Sequence, residues 1–427
     1  MKILLTGAEI FDSTYPETNK NQCGYGIIMR QFADLFPSKD NSVDIIMQSN
    51  FTKGRRIGKA RLYRKTILNV LFHIKMFYIS RAFSVMKMKD IKVKYKLHTL
   101  LYFITGAYIE DVIRKNKYDV VHVNGIGDGL IPIMYACART DTPFFLSLHG
   151  VISFSEKTSA NNFSKRMERV YFVETKDLDG AYTSIVGSGG KAKLESVIGP
   201  INNLCVIGNP LTDINSAVPT LEKAGFGEHV IICVGNITKR KNQKMVVDAF
   251  ALLPEQLKEK TVLVLIGRNK DVLTDYVAEI GEKNIIFTGG LCREEVEAYY
   301  RIADVCITAS IDEGFGLPLI EAYSNGVPCI IPQKIDAFEE VYEPECAVKV
   351  EEYKPELFRD AIISALEKEW DHDKIKKKAE QFSSLSCKEK YISMLEKASS
   401  EHKCIPDITV IEKIFNKCVK EEWNSSK

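Results

Sequence analysis

The chain is marked first by what it lacks. Its eleven cysteines form no Cys-x-x-Cys pair. Most sit in apolar runs such as IICVG and DVCIT, so they read as buried thiols of a reducing compartment and not as a disulfide framework. No apolar stretch approaches the length of a membrane-spanning helix. There are no internal repeats, no low-complexity tracts, and no Gly-x-Gly-x-x-Gly of a dinucleotide site. The chain opens directly on an apolar strand, KILLTG, so no signal peptide is expected. These absences together point to the cytoplasm.

What is present is ordinary in bulk and uneven in detail. At 45% hydrophobic and 27% charged residues the composition is that of a soluble globular protein. A chain of 427 residues is too long for one core and suggests two to three domains. The net charge of +2 hides an asymmetry. Between Lys53 and His98 there are 14 Lys and Arg against one acid, Asp90. Everything outside that segment is net acidic. A basic segment mixed with Leu, Ile, Phe and Tyr suits a helix lying on an anionic membrane surface. The plain alternative is a solvated face over a core-packed helix. A nucleic-acid partner is not expected, because no recognised nucleic-acid motif accompanies the charge.

Apolar runs alternate with helical patterns along most of the chain. Strands are expected at 2–6, 43–47, 119–123, 144–148, 181–186 and 204–207. Helices are expected between them, with 53–115 helical and partly irregular. Gly208-Asn209-Pro210 is turn chemistry, and a second series begins at Val230. Its strands lie at 230–234, 261–266, 284–287, 304–308 and 328–331, with an edge strand at 346–350. Two closing helices are expected near 354–368 and 373–399, and an amphipathic segment runs from Ile408 to Trp423. Such alternation predicts α/β architecture with parallel sheets covered on both faces.

The most informative stretch runs from Asp304 to Pro332, read as strand, loop, short helix, strand. Gly314 and Gly316 permit a tight backbone, Pro318 suits the first helical turn, and Gly326 with Pro328 ends the helix. A helix that starts after a glycine-rich loop points unpaired N–H groups and a positive dipole end outward, which favours a phosphate. Glu313 and Glu321 flank that point and suit grasping sugar hydroxyls near a diphosphate. The bland reading is a βαβ unit with Glu321 on the helix dipole and Glu313 exposed at a strand end.

The Glu313–Glu321 spacing, with Gly-Phe-Gly-Leu-Pro between, resembles the E-x7-E signature of retaining glycosyltransferases of family 4 (group 1). That family has the GT-B fold, two Rossmann-like parallel-sheet domains facing a cleft, and uses a nucleotide-diphosphate-sugar donor. The resemblance implies an N-terminal acceptor-side domain at 1–207 and a nucleotide-sugar domain at 208–405, with a helix at 406–427 crossing back. It implies that Glu313 holds sugar hydroxyls, and that Glu321 holds the nucleotide ribose. Two cations, Lys241 and Arg240, with the amides of Phe315 to Leu317, would stabilise the leaving phosphate.

Three further strings carry the likeness. VGNITKRKNQ (234–243) resembles the family's Gly-Arg-Leu…Lys motif. Lys241 matches its Lys, whereas Asn236 stands where an Arg is usual and Arg240 is the substitute cation. Ser147-Leu148-His149-Gly150 resembles the first-domain His that contacts the donor sugar, whereas His122, inside an apolar strand, is expected to be structural. Cys23-Gly24-Tyr25-Gly26 resembles the first-domain glycine loop near the diphosphate, with Cys23 where glycine is usual, so Gly24 and Gly26 are candidates and a plain turn is the alternative. No metal or other cofactor is expected. Asp177-Leu178-Asp179 and Asp371-His372-Asp373 match Asp-x-Asp as text but lie in the wrong settings.

The implied activity is sugar transfer with retention to a sugar, lipid-linked or protein acceptor, in surface polysaccharide or glycolipid assembly. A non-catalytic homologue acting as a binding or scaffold subunit remains open, and Asn236 is what keeps it so.

Overall fold

A computed structural model describes residues 1–8, 10, 24–48, 56–63, 65–153, 162–211, 214, 217–268, 271–400 and 407–420. Cys23, residues 53–55, Arg64 and residues 421–423 of the amphipathic tail lie outside the described residues. Two compact units result. The first comprises Met1–Val186, Gly190–Pro210 and Cys387–Lys427; the second comprises Gly187–Gly189 and Leu211–Ser386.

The first unit opens with β1 (Lys2–Gly7), α1 (Gly24–Leu35) and β2 (Ser42–Met47), followed by β3 (Arg56–Ile57) and β4 (Ala60–Leu62). Three helices come next, α2 (Ile67–Leu71), α3 (Met76–Met86) and α4 (Val93–Asn116). Alternation then resumes with β5 (Val120–Asn124), α5 (Leu130–Thr140), β6 (Phe144–Leu148) and α6 (Asn162–Thr175), and ends with β7 (Thr183–Ile185), α7 (Ser188–Ile198) and β8 (Leu204–Val206). The sheet order is β3-β4-β2-β1-β5-β6-β7-β8. Its central strands are buried throughout because helices cover both faces.

One departure from a parallel sheet is clear. β3 and β4 pair antiparallel, Ile57 opposite Ala60, around the two-residue turn Gly58-Lys59. The first sheet is therefore mixed, and its edge is a short hairpin inside what reads in sequence as a helical basic segment.

The second unit begins with β9 (His229–Val234), α8 (Gln243–Ala251), α9 (Glu255–Lys258) and β10 (Thr261–Ile266). It continues through α10 (Asp271–Glu279), β11 (Ile285–Gly289), α11 (Arg293–Ile302) and β12 (Val305–Ile307). After α12 (Leu317–Ser324) and β13 (Cys329–Pro332) come β14 (Ala347–Val350), α13 (Pro355–Glu367) and α14 (His372–Glu380). The strands are all parallel, in the order β11-β10-β9-β12-β13-β14.

The expected single helix at 373–399 is two, α14 and α15 (Ser384–Ser400), and the last helix is α16 (Ile408–Lys420). The chain rejoins the first unit at Cys387, not at 406. The reason lies in α15, where Tyr391 is fully buried among Phe32, Phe36, Phe145 and His122 of the first unit. On α16, Ile411, Ile414, Phe415 and Cys418 are buried in the same apolar core as α3 to α6.

Strand order reverses between β1 and β5 in one sheet and between β9 and β12 in the other. At such switch points the loops leaving the carboxyl ends of the strands diverge, and open α/β sheets place ligands there.

Candidate functional site

The loops at the carboxyl ends of β9 and β12 meet in the second unit. Ile311 N–H donates to the Arg240 carbonyl at 2.9 Å, which ties the loop after β12 to the loop after β9. The 235–242 loop is shaped from within by Gln243, a buried residue whose amide donates to the carbonyls of Gly235 and Asn236 at 3.1 Å. Its Oε1 accepts from Thr238 N–H at 3.2 Å. A polar side chain is used this way because buried loop amides and carbonyls must find partners.

Glu313 is where the charges converge. Its Oε2 accepts from Arg240 Nη1 at 3.1 Å, and its Oε1 pairs with Lys241 Nζ and accepts from Ser310 Oγ at 2.8 Å. Burial acts to raise its pKa, but Lys241 and Arg240 prevail and hold the carboxyl below its usual range. Glu313 is thus no exposed loop acid: only 9% of its side chain reaches solvent, because Arg240 and Lys241 from the loop after β9 close over it.

Gly314, Phe315, Gly316 and Leu317 form the turn into α12. Gly316 has φ +93°, and a Cβ there would lie 2.8 Å from the Phe338 ring, so the position requires glycine. Pro318 occupies the first turn of α12. Among the described residues the amides of Phe315 and Gly316 meet no acceptor, and they stand within a few residues of the Glu313–Arg240–Lys241 cluster. That arrangement suits an anion with more than one oxygen.

Glu321 lies on α12 and is 5% exposed. It pairs with Arg293 at the start of α11, and its Oε2 accepts from the Tyr300 hydroxyl at 3.0 Å. Tyr300 also reaches the Pro318 carbonyl at 3.0 Å. Burial and the Glu321 charge push the Tyr300 phenol well above its usual range. Neither Arg293 nor Tyr300 was singled out by the sequence reading. The signal was faint, a cation at the head of one helix and an acid on the next.

Asn236 supplies no charge and has a structural task instead. Its Oδ1 accepts from Arg268 N–H at 3.0 Å, fixing the loop after β10. Arg268, exposed at the carboxyl end of that strand, is a cation the sequence reading did not name. The Gly-Arg pair directly after an apolar strand was the available cue.

In the first unit, Tyr25 rather than its flanking glycines organises the switch point. α1 begins at Gly24, so Gly24 and Gly26 lie in its first turn. The Tyr25 hydroxyl accepts from Ala8 N–H at 3.1 Å and donates to the Asn124 carbonyl. His149 stands edge-on to Tyr25 at 5.8 Å. Its Nδ1 lies 2.9 Å from Asn209 Oδ1 and its Nε2 2.5 Å from Asn124 Oδ1. Burial lowers its pKa to about 4, against the opposing Asn209 bond. A neutral ring has one N–H. Asn124 Oδ1 also accepts from Ser147 Oγ at 3.0 Å, so two amide oxygens flank a ring that offers one N–H between them. His122 is fully buried, 2.8 Å from Ser147 Oγ, with its pKa pushed down to about 3 by burial first and by His149 second. The two histidines are thus linked through Ser147 and Asn124. Among the described residues, no group of three His, Cys, Asp or Glu is placed to hold a metal ion.

Residues 222–382 match the family described as Glycosyl transferases group 1. Mannosylfructose-phosphate synthase of Agrobacterium fabrum is 28% identical over 120 residues, 26% of this chain and 26% of that protein. The GDP-mannose-dependent alpha-(1-6)-phosphatidylinositol monomannoside mannosyltransferase of Mycolicibacterium smegmatis is 29% identical over 141 residues, 30% of this chain and 37% of that one. The matched stretch is therefore well under half of either relative. Among solved structures, the Anabaena protein HepE in complex with UDP superposes with TM-score 0.65 at 16% identity, covering 93% of this chain and all of that one. This likeness extends over both units and gives the fold as GT-B.

Proposed function

We propose, from the match of residues 222–382 to the glycosyl transferases group 1, that the chain transfers a sugar from a nucleotide-diphosphate-sugar to an acceptor hydroxyl with retention of configuration. The observation that carries the proposal is Glu313 held between Arg240 and Lys241, beside the start of α12. As the glycosyl–phosphate bond lengthens, negative charge builds on the leaving phosphate. Arg240, Lys241 and the amides of Phe315 to Leu317 are fixed before the reaction, so they stabilise that charge without reorganising. Glu313 orients the two cations and offers its oxygens to sugar hydroxyls. Glu321, braced by Arg293, is assigned to the nucleotide ribose. His149, neutral through burial, is assigned to a hydrogen bond with a sugar hydroxyl and not to a charge on phosphate.

Support for the donor class comes from HepE, whose structures hold UDP and UDP-glucose. Support for a polysaccharide or glycolipid acceptor comes from the relative named for a phosphatidylinositol mannoside. Retention follows from the family reading. No carboxylate nucleophile is assigned, and attack on the face the phosphate leaves lets that phosphate take the acceptor's proton. Activity is expected without added metal, because Arg240 and Lys241 neutralise the phosphate.

The test is turnover of a panel of nucleotide sugars, with product anomeric configuration read by NMR coupling constants. Nucleotide release by the wild type, and its loss in Lys241→Gln, supports the proposal. If EDTA stops turnover and magnesium or manganese restores it, this account of the phosphate site fails. The rival is a non-catalytic binding or scaffold subunit, favoured by Asn236 spending its side chain on Arg268. Nucleotide binding without turnover of any donor would select it.

A further inference from the structure

Nine of the sixteen large apolar side chains that stand exposed among the described residues fall between Leu68 and Leu101. Phe72 is 88% exposed, Met76 76% and Leu68 73%. On α4, Val93, Leu97 and Leu101 recur every fourth residue and so form one stripe along the helix. The inward faces of the same helices are already filled, by Tyr78, Ala82 and Val85 on α3 and by Phe103 and Ala107 on α4. These helices therefore carry a second apolar face that the fold does not use. An exposed apolar patch of this kind marks a binding surface or a liability.

The charge around it decides what covers it. Residues 67–101 hold seven Lys and Arg and one acid, Asp90. Lys75 is paired with Glu110 and Asp111, Arg81 with Glu412, and Asp90 with Arg166. Lys87, Lys89, Lys92, Lys94 and Lys96 remain, and no carboxylate among the described residues pairs with any of them. Lys94 and Lys96 stand in the first turn and a half of α4, whose first turn has no acid. Cations there oppose the helix dipole, so their position does not serve the helix.

We propose that the outer face of α2, α3 and the first half of α4 docks on an anionic lipid bilayer, with the apolar side chains inserted and the five lysines at the headgroups. Lysine stems lie along apolar surface while their ammonium groups reach outward, which suits an interface between hydrocarbon and charge. A protein partner is the poorer fit, because buried interface centres are depleted in Lys. A nucleic acid would leave Phe72, Met76 and the α4 stripe unexplained. Within the rest of the basic segment 53–98, Lys65 is buried and hydrogen-bonded to the Gln48 carbonyl, and the half-exposed Arg61 is already paired with Asp44.

Flotation of the full chain with phosphatidylcholine vesicles, with and without added phosphatidylglycerol, tests this without reading sugar transfer. Its failure is therefore separable from failure of the proposed activity. Binding is expected only with the anionic vesicles and is expected to fall steeply as salt shortens the screening length. Each lysine near the surface contributes a factor of about five, so Lys89→Gln with Lys92→Gln, Lys94→Gln and Lys96→Gln should weaken binding by more than about a hundredfold. Phe72→Ser with Met76→Ser should also reduce it, at an unchanged thermal midpoint, since both side chains lie in solvent. Equal recovery with neutral and anionic vesicles, recovery with neither, or a quadruple variant that floats like the wild type would overturn the proposal.

Discussion

Glu313 joins the proposed site and the stability of the fold in one side chain. Both of its oxygens are engaged, by Lys241 and Ser310 on one side and Arg240 on the other. Glu313→Gln keeps the shape and the Ser310 contact but leaves Lys241, 15% exposed, beside a neutral amide. Transfer should fall more than tenfold, and urea unfolding should show a loss of about 1–3 kcal/mol. A variant that keeps over a tenth of wild-type turnover removes Glu313 from the site. The place of this acid was legible from Gly-Phe-Gly-Leu-Pro; its burial was not, because the covering cations come from a distant loop. The two linked histidines set a pH dependence. His149 and His122 have folded pKa values near 4 and 3, below the unfolded 6.5, so the unfolded chain binds protons first as pH falls. Their contribution is whole above 6.5 and is lost on the way down, roughly 2 kcal/mol per ring between pH 7 and 5. Glu168, raised by burial, acts in the opposite sense in the acid range. His149→Gln should flatten the stability profile over that interval; a wild-type slope in the variant would contradict the assignment.

At the scale of elements, α11 and α12 are held by Arg293, Glu321 and Tyr300. Arg293→Met leaves the Glu321 carboxylate buried with one neutral partner, which costs about 3–5 kcal/mol. Adding Glu321→Gln should recover a good part of that, and a double-mutant cycle in urea measures the coupling. Independent, additive losses would mean the pair does not hold the helices together. Glu321→Gln alone should weaken nucleotide binding more than it weakens folding if the carboxylate serves a ribose. The helices and parallel strands that build this region were legible because period and punctuation agreed: α11 runs Arg293–Ile302 and α12 begins at Leu317 after its glycine turn, as their sequences suggest. Two features escaped. The β3–β4 hairpin is only seven residues long with its turn, its strands too short to show alternation. The break between α14 and α15 falls in Gln381-Phe382-Ser383, which carries neither Gly nor Pro; Phe382 is buried and drawn inward, and tertiary packing overrides a helical pattern.

At the scale of the molecule, the second unit is nearly a single insertion into the first. The sequence shows this poorly, because a helix that returns to an earlier core looks like any amphipathic helix. Tyr391 and Leu395 on α15, and Ile411, Ile414 and Phe415 on α16, are all buried. Each fully buried large side chain contributes about 1.5–3 kcal/mol, so these five alone carry on the order of 10 kcal/mol, comparable to the stability of a whole domain. A fragment ending at Pro210 therefore loses the closing wall of its core and exposes Phe32, Phe36 and Phe103. The expectation is that residues 1–210 alone are insoluble or molten. The same residues joined by a flexible linker to 387–427 should unfold cooperatively. Residues 217–386, which keep the second sheet intact, should fold alone and show a thermal midpoint raised by a nucleoside diphosphate. Circular dichroism melts of the three fragments decide it. A cooperative melt from 1–210 without the C-terminal helices would show that α15 and α16 are accessories, and that the first unit closes its core from the N-terminal segment alone.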